Sequence, residues 1–178
     1  MAPEVLAWAS TLGSGTRAIA IYQQRWAAPT GPLCVYLHEV ADPGNVGAIV
    51  RSALAFGASS VALGPGCADP FGPKAVRASM GAVFALPLAR ARALDQLPGR
   101  TLALAAHAGQ PLAGAKPSDP TTILLGAERA GLPADWQQAC DEIRHIPIAP
   151  AAESLNVAMA ATVALYELTA KRRITPTR

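Results

Sequence analysis

The sequence has no long apolar run, few charged residues and few aromatic ones. No apolar stretch reaches the roughly 18 residues that a membrane span needs, and the first residues do not show the basic-then-apolar pattern of a signal peptide. Only 15% of the 178 residues are charged, whereas 51% are hydrophobic. This composition argues against disorder and predicts one globular domain with a full core. The low charge also favours burial of part of the surface against a second copy of the chain.

Cysteine is also scarce. Cys34, Cys67 and Cys140 are far apart, odd in number and without CxxC spacing. This pattern indicates neither a disulfide framework nor a zinc site, and no other metal is expected. A reducing, cytoplasmic location fits it best.

The common phosphate-binding motifs are missing as well. Neither GxGxxG nor GxxxxGK[ST] follows any of the apolar runs, which argues against an ordinary doubly wound nucleotide-binding enzyme. The net charge is +3, the pI is near 9.0, and the positive charge is mostly arginine. Arginine suits bidentate contacts to phosphate. The surplus is small, however, so it permits a nucleic-acid partner without establishing one.

What is present is a series of short apolar runs separated by helical stretches. Because the runs do not alternate with polar residues, both faces should be covered, as in a parallel sheet between helix layers. The sequence therefore predicts an α/β fold, with the chemistry in loops that follow strands. The six candidate strands are LCVYL (33–37), VALG (61–64), FALPL (84–88), TLALAA (101–106), TTILLG (121–126) and IRHIPI (143–148).

Residues 1–32 do not form a domain by this pattern, and residues 33–178 do. We expect the first part to be an N-terminal extension with a short helix around residues 4–9 and a β-like run at 18–22. It could also be the end of a larger N-terminal domain.

The first informative loop is DPGNVGAIVRSALAFGA (42–58). Asp42 or Asn45 can cap the helix that follows. Arg51 lies off its apolar face, one turn beyond Gly47, so the guanidinium could lie back over the helix start, where free N–H groups favour a phosphate or carboxylate. The alternative is a solvent-exposed arginine and a simple capping residue. Lys74 and Arg77 could likewise touch a phosphate backbone or simply face solvent.

The second informative loop is TILLGAERAGLP (122–133). Gly126 and Gly131 bracket Glu128, so the backbone can approach a ligand closely while the carboxylate receives donors. The alternative is an acid favoured near a helix start by the helix dipole.

The third segment is IPIAPAAESLNVAMA (146–160). Ser154 is predicted to cap a long helix that is apolar nearly all round and therefore buried. Asn156 would then lie inside the first turn as a buried amide that needs partners. The alternative is that Ser154 and Asn156 only satisfy nearby backbone groups.

In this order and spacing, the three segments resemble the SpoU, or TrmH-like, branch of the SPOUT RNA methyltransferases, from about Leu33 to the C-terminus. The resemblance implies an α/β fold whose C-terminal segment forms a trefoil knot, an exception to the rule against knots. It also implies S-adenosylmethionine as cofactor and methyl transfer to a ribose 2′-hydroxyl of RNA, with ribosomal RNA favoured over transfer RNA. A homodimer with active sites at the interface is implied too. Residues 16–26 resemble the end of the ribosomal-protein-like RNA-binding domain that many relatives carry.

The same resemblance assigns roles by position. Arg51 matches the catalytic arginine. The residues that match the polar group around it are Asn45, Glu128, Ser154 and Asn156. Those expected at the cofactor are Leu125, Gly126, Ile146, Ile148, Leu155, Asn156 and Ala158, and those expected at the RNA are Arg51, Lys74, Arg77 and Arg129. Ile148 replaces a common methionine, and Ala158 replaces a small polar residue. A non-catalytic RNA-binding or assembly protein with the same fold is the alternative function.

Overall fold

The computed structural model describes residues 20–115 and 120–173 of the chain. Within them, strands and helices alternate along most of the sequence. The strands are β1 (Leu33–Leu37), β2 (Ser60–Leu63), β3 (Leu88–Arg90), β4 (Arg100–Ala105), β5 (Gln110–Pro111), β6 (Thr121–Leu125) and β7 (Glu142–His145). The helices are α1 (Pro43–Ala55), α2 (Pro73–Ser79), α3 (Ala134–Ala139) and α4 (Val157–Arg173), with short 3-10 turns at Ala82–Phe84 and Leu94–Gln96.

The strands form one parallel sheet in the order β3-β2-β1-β6-β4-β7-β5. The central strands β1 and β6 are buried at every residue and pair from Leu33 with Thr121 to Leu37 with Leu125. Burial on both faces explains their continuous apolar character. The predicted α/β fold is confirmed.

Helices cover both faces of this sheet. Val35 of β1 belongs to a core cluster shared with α1 and α4, whereas Tyr36 belongs to a second cluster with Trp136 of α3. The rings of Tyr36 and Trp136 stack at 5.2 Å between centroids. Alternate residues of one strand therefore feed two separate cores, as the strand period of two requires.

Most of the predicted strands are in place, and two details differ. The run at 84–88 is a strand only at its last residue, because the amides of Phe84, Ala85 and Leu86 bond back to carbonyls three or four residues earlier, and Pro87 has no N–H. The structure also contains the two-residue edge strand β5, which the sequence did not indicate.

The described part of the N-terminal extension runs along the edge of the sheet. The amide of Ala27 donates to the carbonyl of Leu88 at 2.8 Å, and the Arg90 guanidinium lies 4.3 Å from the ring centroid of Trp26. Residues 20–22 of the predicted β-like run are not in a strand. The predicted helix at residues 4–9 lies outside the described residues.

Close packing of α1 against α2 explains Gly47. A Cβ at this position would lie 2.3 Å from the carbonyl oxygen of Ala75 and 2.7 Å from the Cβ of Ala78. Gly47 therefore lets two helices approach, and the placing of the Arg51 guanidinium over the helix start stays a prediction. None of the helices in the described ranges is long and apolar enough to cross a bilayer.

Candidate active site

A cleft of about 650 Å³ opens at the carboxyl ends of β4, β6 and β7. Three segments form its walls: residues 104–106 at the end of β4, residues 125–132 at the end of β6 and in the loop after it, and residues of the 146–155 connection between β7 and α4. This is the edge at which parallel α/β sheets bind ligands. Its size is typical of a small-molecule site.

The loop after β6 requires glycine at position 126. A Cβ there would lie 2.1 Å from the carbonyl carbon of Gly131 and 2.2 Å from the amide nitrogen of Leu132, both backbone atoms. Gly131 closes the loop with a positive φ of 68° and donates its N–H to the carbonyl of Ala127 at 2.9 Å. The loop therefore folds back on its own strand and presents backbone to the cleft.

The expected cofactor residues divide into two groups. Leu125, Gly126, Ile146, Ile148 and Leu155 line the cleft together, as do Glu128, Arg129 and Ser154. Asn156 and Ala158 do not line it; Ala158 is buried at the start of α4.

A side-chain network joins the three sequence segments beside the cleft. The side-chain amide of Asn45 donates from Nδ2 to Glu128 Oε1. The side-chain amide of Asn156 donates from Nδ2 to Asn45 Oδ1 at 3.1 Å. Asn45 is in turn held by the first turn of α1, where its backbone N–H donates to the capping Asp42 carboxylate at 3.0 Å. Residues from distant parts of the chain thus fix one another's orientation.

Asn156, and not Ser154, caps α4. Its Oδ1 accepts from the amides of Ala158 at 2.9 Å and Met159 at 3.3 Å, and the helix begins at Val157. Asn156 is exposed, so the predictions of a Ser154 cap and of a buried amide were wrong. Asparagine and serine are equally good N-caps, and the structure places the helix start two residues later than the sequence suggested.

Arg51 lies on the exposed face of α1 and does not line the cleft. Within the described ranges it forms no hydrogen bond or ion pair. A guanidinium carries its charge at any ordinary pH, so this side chain is a permanent cation available to an anion.

The other predicted basic contacts also lie at the surface. Arg77 and Arg129 are exposed. Lys74 Nζ donates to the Asp42 carboxylate at 2.8 Å. This hydrogen bond, together with the one from the backbone N–H of Asn45, lowers the pKa of Asp42. Lys74 therefore supports the α1 cap directly.

Sequence reasoning missed one wall of the cleft. Leu104, Ala105 and Ala106 line it from the end of β4, and Gln137 lines it from α3. The rule that loops after strands carry chemistry applied to residues 101–106 as well. These residues were passed over because small apolar side chains carry no chemical signal of their own.

Comparisons with known proteins place these features in context. Residues 32–166 match the profile described as the SpoU rRNA Methylase family. A 23S rRNA (uridine(2479)-2'-O)-methyltransferase from Streptomyces viridochromogenes is 38% identical over 153 residues, which cover 79% of this chain and 53% of that protein. An uncharacterized tRNA/rRNA methyltransferase from Synechocystis sp. is 36% identical, with coverage of 92% of this chain and 64% of that protein.

Solved structures give the same picture. An AdoMet-bound rRNA methyltransferase from Sinorhizobium meliloti superposes with a TM-score of 0.77 at 35% identity, covering 86% of this chain and 63% of that one. A SpoU methyltransferase from Streptomyces viridochromogenes in complex with AdoMet superposes with a TM-score of 0.76 at 33% identity, covering 83% of this chain and 64% of that one. The chain spans about half the length of most of the curated relatives it matches.

Proposed function

Because the chain belongs to the SpoU rRNA methylase family, we propose that it is an S-adenosylmethionine-dependent RNA methyltransferase acting on a ribose 2′-hydroxyl. The observation that carries the proposal is the joining of the three sequence segments beside one cleft, through the hydrogen bonds of Asn45, Glu128 and Asn156. An RNA substrate makes the cytoplasm the expected location.

The cleft suits S-adenosylmethionine. Leu125, Ile146, Ile148 and Leu155 offer apolar walls for an adenine ring. The glycine-closed turn at Gly126 offers backbone groups at short range. When bound, this cofactor supplies an electrophilic methyl group on sulfur, so the protein must align the reactants and help remove the hydroxyl proton. No metal is needed for that chemistry.

We assign Arg51 to the RNA. Since it is exposed and has no partner among the described residues, its guanidinium is free to hold a phosphate beside the target ribose in bidentate fashion. The same charge stabilises the oxyanion that develops on the 2′-oxygen. A charged guanidinium is a poor base, so the proton leaves through the phosphate or water. We assign Lys74, Arg77 and Arg129 supporting contacts to the RNA backbone.

A homodimer is part of the proposal. Met159, Val163 and Tyr166 project from one face of α4 and are 61%, 42% and 56% exposed, and Leu54 on α1 is 40% exposed. Such a contiguous apolar face favours burial against a second copy. Arg51 lies one turn before Leu54, so it would lie beside the interface, where the family resemblance places the active sites. A purely monomeric protein in analytical ultracentrifugation at micromolar concentration would contradict this.

Ribosomal RNA is the favoured substrate. A relative of this chain is described as a 23S rRNA 2'-O-methyltransferase. We assign catalysis to residues 33–178 and regard residues 1–32 as an extension or linker. The trefoil knot that the family resemblance implies stays a prediction.

The decisive experiment is methyl transfer from labelled S-adenosylmethionine to total RNA, followed by nucleoside analysis. We expect a 2′-O-methylated nucleoside in ribosomal RNA. A DNA substrate should be inert, because it lacks the 2′-hydroxyl. RNA binding without methyl transfer by a protein that binds the cofactor would refute the activity and favour the non-catalytic RNA-binding alternative.

A further inference from the structure

Residues 146–155, here called the cleft loop, border two cavities. Ile146, Ile148 and residues 153–155 line the cleft. A second cavity of about 320 Å³ lies between residues 106–107 and residues 145–150 and 152, and Ile146 and Ile148 line it as well. Ile146 packs against the main core at the start of the cleft loop, whereas none of residues 147–155 belongs to either core cluster. Core packing, which normally fixes such a segment, therefore holds only the first residue of the loop.

Few hydrogen bonds hold the cleft loop. Pro147 and Pro150 have no N–H to donate. Inside the loop, the amide of Ala152 donates to the carbonyl of Ala149 at 2.9 Å. In the part of the chain that the structure describes, one hydrogen bond connects the loop to another element: His107 Nε2 lies 2.7 Å from the carbonyl oxygen of Glu153.

The chemistry of this bond shows that Nε2 of His107 is the donor. A carbonyl oxygen can only accept, so Nε2 must carry the hydrogen. His107 lies two residues beyond Ala105, in the same connection as the wall residue Ala106. The bond thus links two walls of the cleft, one from β4 and one from the cleft loop, and it does so at the residue immediately before Ser154 and Leu155.

We propose that His107 is a positioning residue for the methyl donor: its Nε2–H holds the cleft loop at the distance from β4 that S-adenosylmethionine requires. This rests on the proposed function, because it takes the cofactor to be the occupant of the cleft. His107 is exposed, does not line the cleft and acts through the backbone of Glu153.

Replacement variants test the bond. His107→Ala removes the donor, and His107→Gln places an amide N–H at about the reach of Nε2. His107→Asn holds its donor too close to the backbone to reach. Gln110→Ala is the matched control, because Gln110 is exposed three residues beyond His107, at the start of β5, and its side chain has no hydrogen bond within the described residues. Thermal unfolding of all four should match the wild type.

Isothermal titration with S-adenosylmethionine is the first readout. For His107→Ala and His107→Asn we expect Kd to rise roughly threefold to tenfold, as for one lost hydrogen bond. His107→Gln and Gln110→Ala should bind like the wild type. In the transferase assay, KM for the cofactor should rise with Kd while kcat is unchanged. Equal Kd for His107→Ala and the wild type, or weak binding by His107→Gln as well, would overturn the assignment.

Hydrogen exchange without cofactor separates the two proposals. Amides of residues 151–155 should exchange faster in His107→Ala than in Gln110→Ala. Unchanged exchange refutes the tether even if the enzyme is an active methyltransferase. If the wild type itself fails to bind S-adenosylmethionine, the proposed function fails, and the cofactor role of His107 falls with it.

Discussion

Gly126→Ala should damage the cleft. The new Cβ would lie 2.1 Å from the Gly131 carbonyl carbon and 2.2 Å from the Leu132 nitrogen, whereas ordinary contacts begin at 3.4 Å. Both neighbours are backbone atoms, so the loop after β6 must move by more than an ångström. We expect a loss of about 1–3 kcal/mol in the free energy of unfolding, which is typical of overpacking.

The same displacement should weaken binding of S-adenosylmethionine by at least about tenfold, since residues on both sides of the shifted backbone line the cleft. Urea unfolding and isothermal titration measure the two effects. Gly57→Ala is the control: it imposes a side chain at a φ of 73° but meets no atom within 4 Å and lies away from the cleft. It should cost about 1 kcal/mol of stability and leave the cofactor Kd unchanged. Unaltered Kd and stability in Gly126→Ala would show that the glycine contact is not what shapes the cleft.

Three further predictions concern the surroundings of the cleft. Asn156→Ala should lose about 1 kcal/mol of unfolding free energy, because it removes the cap of α4. Asn156→Asp should keep the cap but lose the side-chain N–H that donates to Asn45, and so reduce methyl transfer. Equal activity of Asn156→Asp and wild type would refute this. Arg51→Lys should reduce methyl transfer about tenfold or more without changing the cofactor Kd, since bidentate phosphate geometry is lost; near wild-type turnover, in parallel with an Arg92→Lys control, would remove the need for that geometry. Hydrogen bonds from the backbone N–H and the hydroxyl of Thr101 lower the pKa of Asp141. The Asp141 carboxylate therefore stabilises the fold at pH values above its unfolded pKa of about 4. This stabilisation is lost as the pH falls through the lower pKa of the folded state. Urea titrations at pH 6 and pH 3 should therefore show a smaller loss on acidification for Asp141→Asn than for wild type, and an identical loss would contradict the assignment.

The sequence predicted the sheet well because its central strands are buried on both faces and show no alternation. Prediction from the sequence failed where contacts in the folded protein decide between two local structures. Both Ser154 and Asn156 can cap a helix, and in the structure it is Asn156 that does so while its side-chain amide also donates to Asn45. Phe84 and Leu86 are as apolar as strand residues, but their amides bond to the carbonyls of Gly81 and Ala82, which places Phe84 in a 3-10 turn and keeps Leu86 out of the sheet.

In the candidate site, too, some residues could be predicted from the sequence and others could not. Side chains with distinctive chemistry, such as Glu128 and Asn45, could be selected from the sequence, and the structure brings them together. The wall formed by residues 104–106 contributes shape and backbone rather than a functional group. Periodicity cannot reveal such a wall, because it depends on which strand lies next to which.

The place of β6 between β1 and β4 sets the order in which this protein can become functional. Leu33 pairs with Thr121, and the neighbouring strand on the other side, β4, is also made before β6. During synthesis the edges of β1 and β4 that pair with β6 therefore stay unpaired until β6 has been made. Pairing between strands so far apart in the sequence is also slow. Only after that insertion do the ends of β4 and β6 meet, so a growing chain has no cleft until β6 and the residues after it have been translated.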